Sequence, residues 1–364
     1  MTVLELSNYD SKWQAHFEAE RERLLSSLRP MTEGGVIFGS IEHVGSTAVP
    51  GLAANPCIDI SLDTEPLKDE SSRTLSSLGY HLSPESFGSA QVFVRSGKHP
   101  VKLYIVDSSS SNTGPSLLVM RDYLRAYAEI RQQYETLKRR LSAGSPSAYE
   151  EGKTAFLELQ QQDAFEWHVA VTGFEPLKRL QKDLSGLEAN WMVSSGWALD
   201  LFLGKPTRYH DDLDVTLFYE DAAALQGHLL ARGWQFHRMV DGVYKPWQMG
   251  EALEPPEYQV HARRGDAFID FLFSHQEGGN WLYRRDETIT LALERVSHKY
   301  EGIPYLVPEA VLLYKSFTRN AGPRPKDQAD FERVVPHLSA QAEAWLKEAI
   351  AKLHPDHPWL AQLD

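Results

Sequence analysis

The stretch Trp191–Leu217, WMVSSGWALDLFLGKPTRYHDDLDVTL, decides the reading of this chain. Trp191-Met192-Val193 is a short apolar run of strand character, and Ser194-Ser195-Gly196 turns with no large side chain in the way. Trp197 to Leu203 carries helical apolar spacing and is stopped by Gly204 and Pro206. A helix that opens on a small-residue turn points bare backbone N–H groups forward, a natural seat for phosphate. Thr207-Arg208-Tyr209-His210 sets a cation beside it. Asp212-Leu213-Asp214-Val215-Thr216-Leu217 alternates with period two, so on a strand Asp212 and Asp214 share a face. Two carboxylates on one face repel unless a cation lies between them, and oxygen ligands suit Mg²⁺. An acidic patch on a surface strand is the plainer reading of D-x-D alone. The full order of turn, helix, basic loop and acidic strand is far more specific.

The flanking sequence bounds what such a site can belong to. At 364 residues there is room for two domains with their own cores, and 42% hydrophobic with 24% charged content is that of a globular protein. A net charge of −13 argues against a nucleic-acid partner held through a basic surface. Cys57 is the only cysteine, which excludes an internal disulfide and a thiolate zinc cage. The opening MTVLELSNYD lacks a basic and an apolar leader region, and no apolar run is long enough to span a bilayer, so no membrane partner and a cytoplasmic location are expected. The oligomeric state is not legible.

The N-terminal half repeats the plan. Ser11 to Arg29 is an amphipathic helix with Trp13, Phe17, Leu24 and Leu28 on one stripe. Residues 36–44 read as a strand ending in a Gly45-Ser46 turn. Residues 56–63 alternate, with Asp59, Ser61 and Asp63 on one face, and Asp63 roughly 7 Å beyond Asp59 at strand rise, too far for an ordinary D-x-D pair. Tyr123, Tyr127, Ile130, Tyr134, Leu137 and Leu141 form the apolar stripe of one long helix. Ser108 to Pro115, SSSSNTGP, reads as a polar loop within this half. The domain division is placed between Gln160 and Glu175, giving units 1–165 and 166–364.

Beyond the central stretch, Ala222 to Arg232 is helical and Trp234 to Met239 strand-like, and Asp241 to Tyr258 is a Pro- and aromatic-bearing insert. Asp270 stands alone in the apolar strand Ala267–Phe273, where burial is costly unless a cation or hydrogen bonds compensate it. Helices follow from Pro308 to Arg319, from Pro325, and from Gln341 to Leu353. Asp327 and Asp330 lie near a helix start, where they favour its dipole.

Two resemblances rest on these residues. His43-Val44-Gly45-Ser46-Thr47-Ala48-Val49-Pro50-Gly51-Leu52-Ala53-Ala54-Asn55-Pro56-Cys57-Ile58-Asp59, followed by Arg121-Asp122-Tyr123-Leu124-Arg125, resembles the GrpB (UPF0157) family. Asn55 replaces a usual Lys, and Lys102-Leu103-Tyr104 stands where the family shows His-Leu-His. The pocket this implies comprises His43, Gly45, Ser46, Asp59, Arg121, Arg125 and Lys138, able to hold a nucleotide or metabolite without turning it over. The second half, Gly196-Trp197-x-x-Asp200 through Gly204-x-x-Thr207-Arg208-x-His210-x-Asp212-Leu213-Asp214, resembles the aminoglycoside and lincosamide nucleotidyltransferases of the DNA polymerase beta superfamily, with Ser195 in place of a first Gly.

Together these imply an α+β protein of two tandem nucleotidyltransferase-fold domains, each a small mixed sheet with flanking helices, plus a helical C-terminal tail. The implied enzyme moves a nucleoside monophosphate from a triphosphate, ATP being the expected one, to a hydroxyl of a small acceptor. Asp212, Asp214 and Asp270 would hold two Mg²⁺ ions, and Asp270 would alternatively take the acceptor proton. Ser195 and Gly196 would seat the phosphates, with Arg208 and Lys315 opposite the leaving pyrophosphate. By the same resemblance Lys326 is a phosphate ligand, and His210 either hydrogen-bonds the triphosphate or braces its loop. The alternative is a noncatalytic nucleotide- or metabolite-binding regulator.

Overall fold

A computed structural model of the chain describes residues 6–32, 38–64, 69–84, 87–88, 90–106, 113–210, 212–240, 243–264, 267–316 and 323–363. The chain divides into two compact units, the first made mainly of residues up to Val171 and the second mainly of those from Thr172 on. In the first, α1 (Lys12–Thr32) precedes β1 (Phe38–Val44), β2 (Ile58–Thr64), α2 (Asp69–Ser77), β3 (His81–Leu82), β4 (Gln91–Arg95) and β5 (Val101–Val106). The sheet order is β1-β2-β5-β4-β3, with β2 and β5 parallel and the other pairs antiparallel. The α1 stripe of Trp13, Phe17, Leu24 and Leu28 buries itself against Ile58, Ile60, Leu62, Leu103 and Ile105, as its spacing requires.

Three helices complete this unit: α3 (Thr113–Ala126), α4 (Ala128–Leu141) and α5 (Pro146–Thr172). The expected single helix over the tyrosine stripe is therefore two. Tyr127 is extended (φ −108°, ψ 96°), and Arg131 donates to the carbonyls of Leu124 and Arg125 at 3.1 and 3.2 Å, supplying the donors that the break removes. No Gly or Pro marks that break, so propensity does not reveal it. Most of the expected 108–115 loop lies outside the described residues, and its last three residues open α3. Helix α5 runs through the expected 165/166 division.

The second unit holds α6 (Glu175–Asp183), β6 (Met192–Val193), α7 (Ser195–Leu203), β7 (Asp214–Phe218), α8 (Ala222–Leu230), β8 (Gln235–Val240), β9 (Val243–Pro246), β10 (Gln259–Arg264) and β11 (Ala267–Ser274). There follow β12 (Gln276–Glu277), β13 (Asn280–Leu282) and β14 (Thr290–Ala292), which form a small sheet of their own, and the hairpin β15 (Ser297–Tyr300)–β16 (Ile303–Leu306). The tail is α9 (Pro308–Lys315), α10 (Pro325–Val334) and α11 (Ala340–Leu353). The main sheet runs β15-β16-β6-β7-β11-β10-β8-β9. Without the edge hairpin and β9, its order β6-β7-β11-β10-β8 is that of the first unit, again with the second and third strands parallel. The strands and hairpin of residues 276–306 carry no expectation from the sequence. The helix expected over Pro308–Arg319 ends at Lys315 with Ser316 as its C-cap, and residues 317–319 lie outside the described residues.

Candidate active site

Parallel pairing of β7 with β11 sets Asp214 directly opposite Asp270. The ladder holds both backbones: Ser194 N–H donates to the Asp214 carbonyl at 2.9 Å, and Asp270 N–H to that of Leu213 at 3.0 Å. Both side chains are buried. Burial raises the Asp214 carboxyl, and the Asp212 charge raises it further, against a hydrogen bond from Ser195 and the charges of Lys315 and Lys326. Burial and then the Asp214 charge raise Asp270. Gln259 donates to Asp270 Oδ2 at 2.6 Å, whereas Oδ1 is buried with no hydrogen-bond partner. His261 Nε2 stands 3.9 Å from that oxygen, beyond hydrogen-bond range. Asp212 lies before the strand rather than on it. Its carbonyl is taken by the Trp197 indole N–H at 3.1 Å, so the ladder begins two residues later.

The turn beside these carboxylates is built as the sequence suggests, with a cost at one residue. Ser195 sits in the left-handed region at φ 52°, where a first Gly would be unstrained, while its hydroxyl serves Asp214. Gly196 has no room for a side chain: a Cβ would stand 2.5 Å from Arg208 Nη2 and from the His210 ring. Gly204 ends α7 in the left-handed conformation (φ 71°).

The basic residues are held by carboxylates. Arg208 grips both oxygens of Asp330 at 3.0 Å, and Lys315 bridges Asp327 at 2.9 Å and Asp330 at 3.0 Å. Burial would raise the Asp330 carboxyl, but the Arg208 hydrogen bonds and the Lys315 charge outweigh it and hold it at about 2. Asp327 and Asp330 thus do more than favour the α10 dipole: they tie α10 to α9 and to the Arg208 loop. His210 is buried, its Nε2 2.6 Å from Asp200 Oδ2 and its ring 4.4 Å from that of Trp197. Thr207 donates to the other Asp200 oxygen at 2.5 Å. That geometry favours bracing for His210. Lys326 is exposed on the first turn of α10, and its charge reaches Asp214.

Asp200, Thr207, Gln259, Asp327 and Asp330 escape the sequence reading as site residues. The i, i+3 spacing of Asp327 and Asp330, which places both on one helix face, was the available signal for that pair. The Trp197-x-x-Asp200 spacing by itself assigns Asp200 no role. Nothing local in the sequence points to Gln259.

Among the described residues no three His, Cys, Asp or Glu converge into a ready-made metal cage. Mg²⁺, however, is commonly held by one or two carboxylates together with water and substrate phosphates. The residues fit that pattern. An unpartnered buried oxygen on Asp270 and a neighbouring buried Asp214 form a pair whose full ionisation calls for a cation.

The matching place in the first unit is different. β2 and β5 pair in parallel with Asp59 opposite Lys102, so a lysine occupies the register position that Asp270 holds on β11. Burial raises Asp59 to about 6, against the charges of Lys153 and Lys102. Gly45 (φ 71°) lies so close to Asp59 that any Cβ would collide with the carboxylate. His43 is buried between Thr47 Oγ1 at 3.0 Å and Gln14 at 3.3 Å, and burial with the charges of Arg125 and Arg121 lowers it to about 4, a neutral imidazole. Arg121 binds Glu42 at 2.7 Å and the His43 carbonyl at 3.0 Å, and Arg125 chelates the Ala48 carbonyl at 2.8 and 3.0 Å. Lys138 is wholly buried and donates to Ser46 Oγ at 3.1 Å and to the Ala53 carbonyl. The predicted residues of this half therefore surround one turn, with Arg121 and Arg125 engaged in holding it.

The two sheets of common order, flanked by helices, make this an α+β protein with nucleotidyltransferase-like folds. The chain belongs to the GrpB (UPF0157) family, whose model, "GrpB protein", matches residues 3–163. A UPF0157 protein of Streptomyces coelicolor is 33% identical over 138 residues, 37% of this chain and 69% of that protein. One of Halalkalibacterium halodurans is 35% identical over 147 residues, 39% of this chain and 69% of that protein. The match to the UPF0157 protein YqkA of Bacillus subtilis is 28% identical over 180 residues and spans 45% of this chain and 48% of that relative. Residues 176–243 match a second model, "Aminoglycoside-2''-adenylyltransferase". Among solved structures, GrpB from Enterococcus faecalis is similar at TM-score 0.39 and 26% identity, over 44% of this chain and 96% of that one. ANT(2'')-Ia with adenylyl-2''-tobramycin is similar at TM-score 0.36 and 17% identity, over 49% and 98%. Among the described residues no helix is long and apolar enough to cross a membrane.

Proposed function

We propose that the C-terminal unit transfers a nucleoside monophosphate from a nucleoside triphosphate to a hydroxyl of a small-molecule acceptor, and that the N-terminal unit is accessory. The observation that carries this reading is the Asp214–Asp270 pair with its unpartnered buried oxygen. The acceptor oxygen attacks the α-phosphorus, its proton passes to Asp270 Oδ1, and the bond to the pyrophosphate breaks. Mg²⁺ held by Asp214, with the Asp212 charge acting on the same carboxylate, would neutralise charge on the phosphate oxygens. The Ser195–Gly196 turn orients the triphosphate, and Lys326 is the exposed cation nearest in sequence to the network that anchors α10. The matched family model makes an adenylyl donor and an aminoglycoside-like acceptor the first to try. In the N-terminal unit Lys102 replaces the second carboxylate, which supports binding there without turnover.

The test is pyrophosphate release with Mg²⁺ and each of the four triphosphates, against a panel of aminoglycosides, lincosamides and hydroxylated metabolites. Acceptor-dependent release should fall on the order of a hundredfold or more in Asp270→Asn, as expected for loss of a general base, and comparably in Asp214→Asn. Undiminished release in Asp214→Asn would sink the assignment. A second reading, a nucleotide-binding unit without turnover, draws on Arg208 and Lys315 being already bound by Asp330. Triphosphate binding with no release from any acceptor would favour it.

A further inference from the structure

Arg284 lies in the C-terminal unit, in the segment between β13 and β14. Its guanidinium carbon stands 3.4 Å from the centre of the Tyr258 ring. A contact that short requires face-to-face stacking, which leaves the N–H groups pointing outward in the guanidinium plane. The neighbouring rings are held in place. Tyr219 donates its hydroxyl to the Glu257 carbonyl at 2.9 Å, and Tyr314 is hydrogen-bonded to the Arg284 backbone and the Ser274 side chain. Burial raises the Tyr219 hydroxyl to about 12, and Arg284 is the strongest of the charges acting on it.

Arg284 is half-buried, and among the described residues no oxygen accepts from its guanidinium. Its neighbours in the same unit are used differently. Arg208, Arg238, Arg264 and Arg285 each donate to a protein oxygen at 3.0 to 3.1 Å. Stacking on an aromatic ring stabilises the charge without occupying a donor. It also orders the side chain in advance, so less freedom is lost when two oxygens accept from the fork.

The position is remote from the carboxylate pair. Asp214 opens β7 and Tyr219 follows its end, a separation on the order of 15 Å at strand rise. The charge balance selects the ligand. One guanidinium offers one positive charge, the Glu257 carboxylate already acts on Tyr219, and the chain carries −13. A monoanion is balanced there, whereas a phosphate dianion brings surplus negative charge.

We propose that Arg284 anchors a second binding site, which takes the carboxylate of a small organic acid, both oxygens accepting from the guanidinium fork above Tyr258. The inference stands apart from nucleotidyl transfer at Asp214 and Asp270.

The test titrates the full chain with benzoate, benzamide and phenyl phosphate, followed through the ligands' NMR signals. Benzoate should bind at least about tenfold more tightly than benzamide, the scale of charge-assisted hydrogen bonding, and more tightly than phenyl phosphate. Arg284→Gln should remove the preference for benzoate. Arg284→Lys, which keeps the charge but not the planar fork, should weaken benzoate several-fold. Equal affinity for benzoate and benzamide, benzoate binding unchanged in Arg284→Gln, or binding fully kept in Arg284→Lys would each overturn the proposal. Phenyl phosphate that binds more tightly than benzoate, and loses that binding in Arg284→Gln, would overturn the carboxylate assignment. Circular dichroism and urea midpoints of both variants separate these outcomes from unfolding.

Discussion

At the scale of single residues, the turn before α7 trades strain for function. Ser195 accepts a left-handed backbone, a cost of roughly 1–2 kcal/mol for a residue with a Cβ, and places its hydroxyl on Asp214. Gly196 is fixed by what leans on it: Arg208 is locked to Asp330 and His210 to Asp200, so neither can yield to a methyl group. Gly196→Ala is therefore expected to lower stability by about 1–3 kcal/mol, the usual range for overpacking. The urea midpoint should fall with the slope unchanged, and transfer activity should fall with it. A midpoint equal to wild type would show that Arg208 and His210 relax freely. The sequence carried the small-residue turn and the carboxylates plainly, because both follow from residue type and spacing. It could not carry the loads on Gly196, which come from side chains 12 and 14 positions later.

At the scale of elements, the ion-pair cluster centred on Asp330 joins α10, α9 and the loop after α7. The sign of its pH dependence follows from the depressed carboxyl. Its folded value, about 2, lies below the ordinary 3.8, so its stabilisation is complete above roughly pH 4 and is lost as pH falls towards 2. The magnitude is about 2 kcal/mol, applicable here because Asp330 is buried. Asp330→Asn should be destabilised near neutrality, and its stability should fall less steeply than that of wild type between pH 4 and 2. Parallel curves from chemical denaturation across that interval would refute the assignment. The same scale shows why some elements were legible and others not. The β2 strand announced itself by alternation and α1 by its stripe, because each buries one face, whereas β7 is buried along its whole length and its alternating run starts before the strand. The break at Tyr127 lies in residues with no helix-breaking character and is held by Arg131 from the next helix, which is tertiary information. Likewise only strand register shows that Lys102 stands at the position of Asp270, since the two lie in unrelated local sequence.

At the scale of the whole molecule, the two sheets of matching order each have their own buried core, and all residues proposed for transfer lie beyond Thr172. A unit with its own core is expected to fold alone. The cut belongs at Val171/Thr172 rather than 165/166, because α5 continues to Thr172 and an earlier cut would leave about its last two turns without the helix that nucleates them. Residues 172–364 should then give a single cooperative melt and retain acceptor-dependent pyrophosphate release with kcat and KM within about twofold of the full chain, the expectation for independent units. The complementary piece, 1–171, should release none under the same conditions, since Asp59 faces Lys102 where the other unit pairs two carboxylates. Turnover by 1–171 would reverse the division of labour between the two halves. Loss of turnover by a well-folded 172–364 would show that the C-terminal unit does not carry the chemistry by itself.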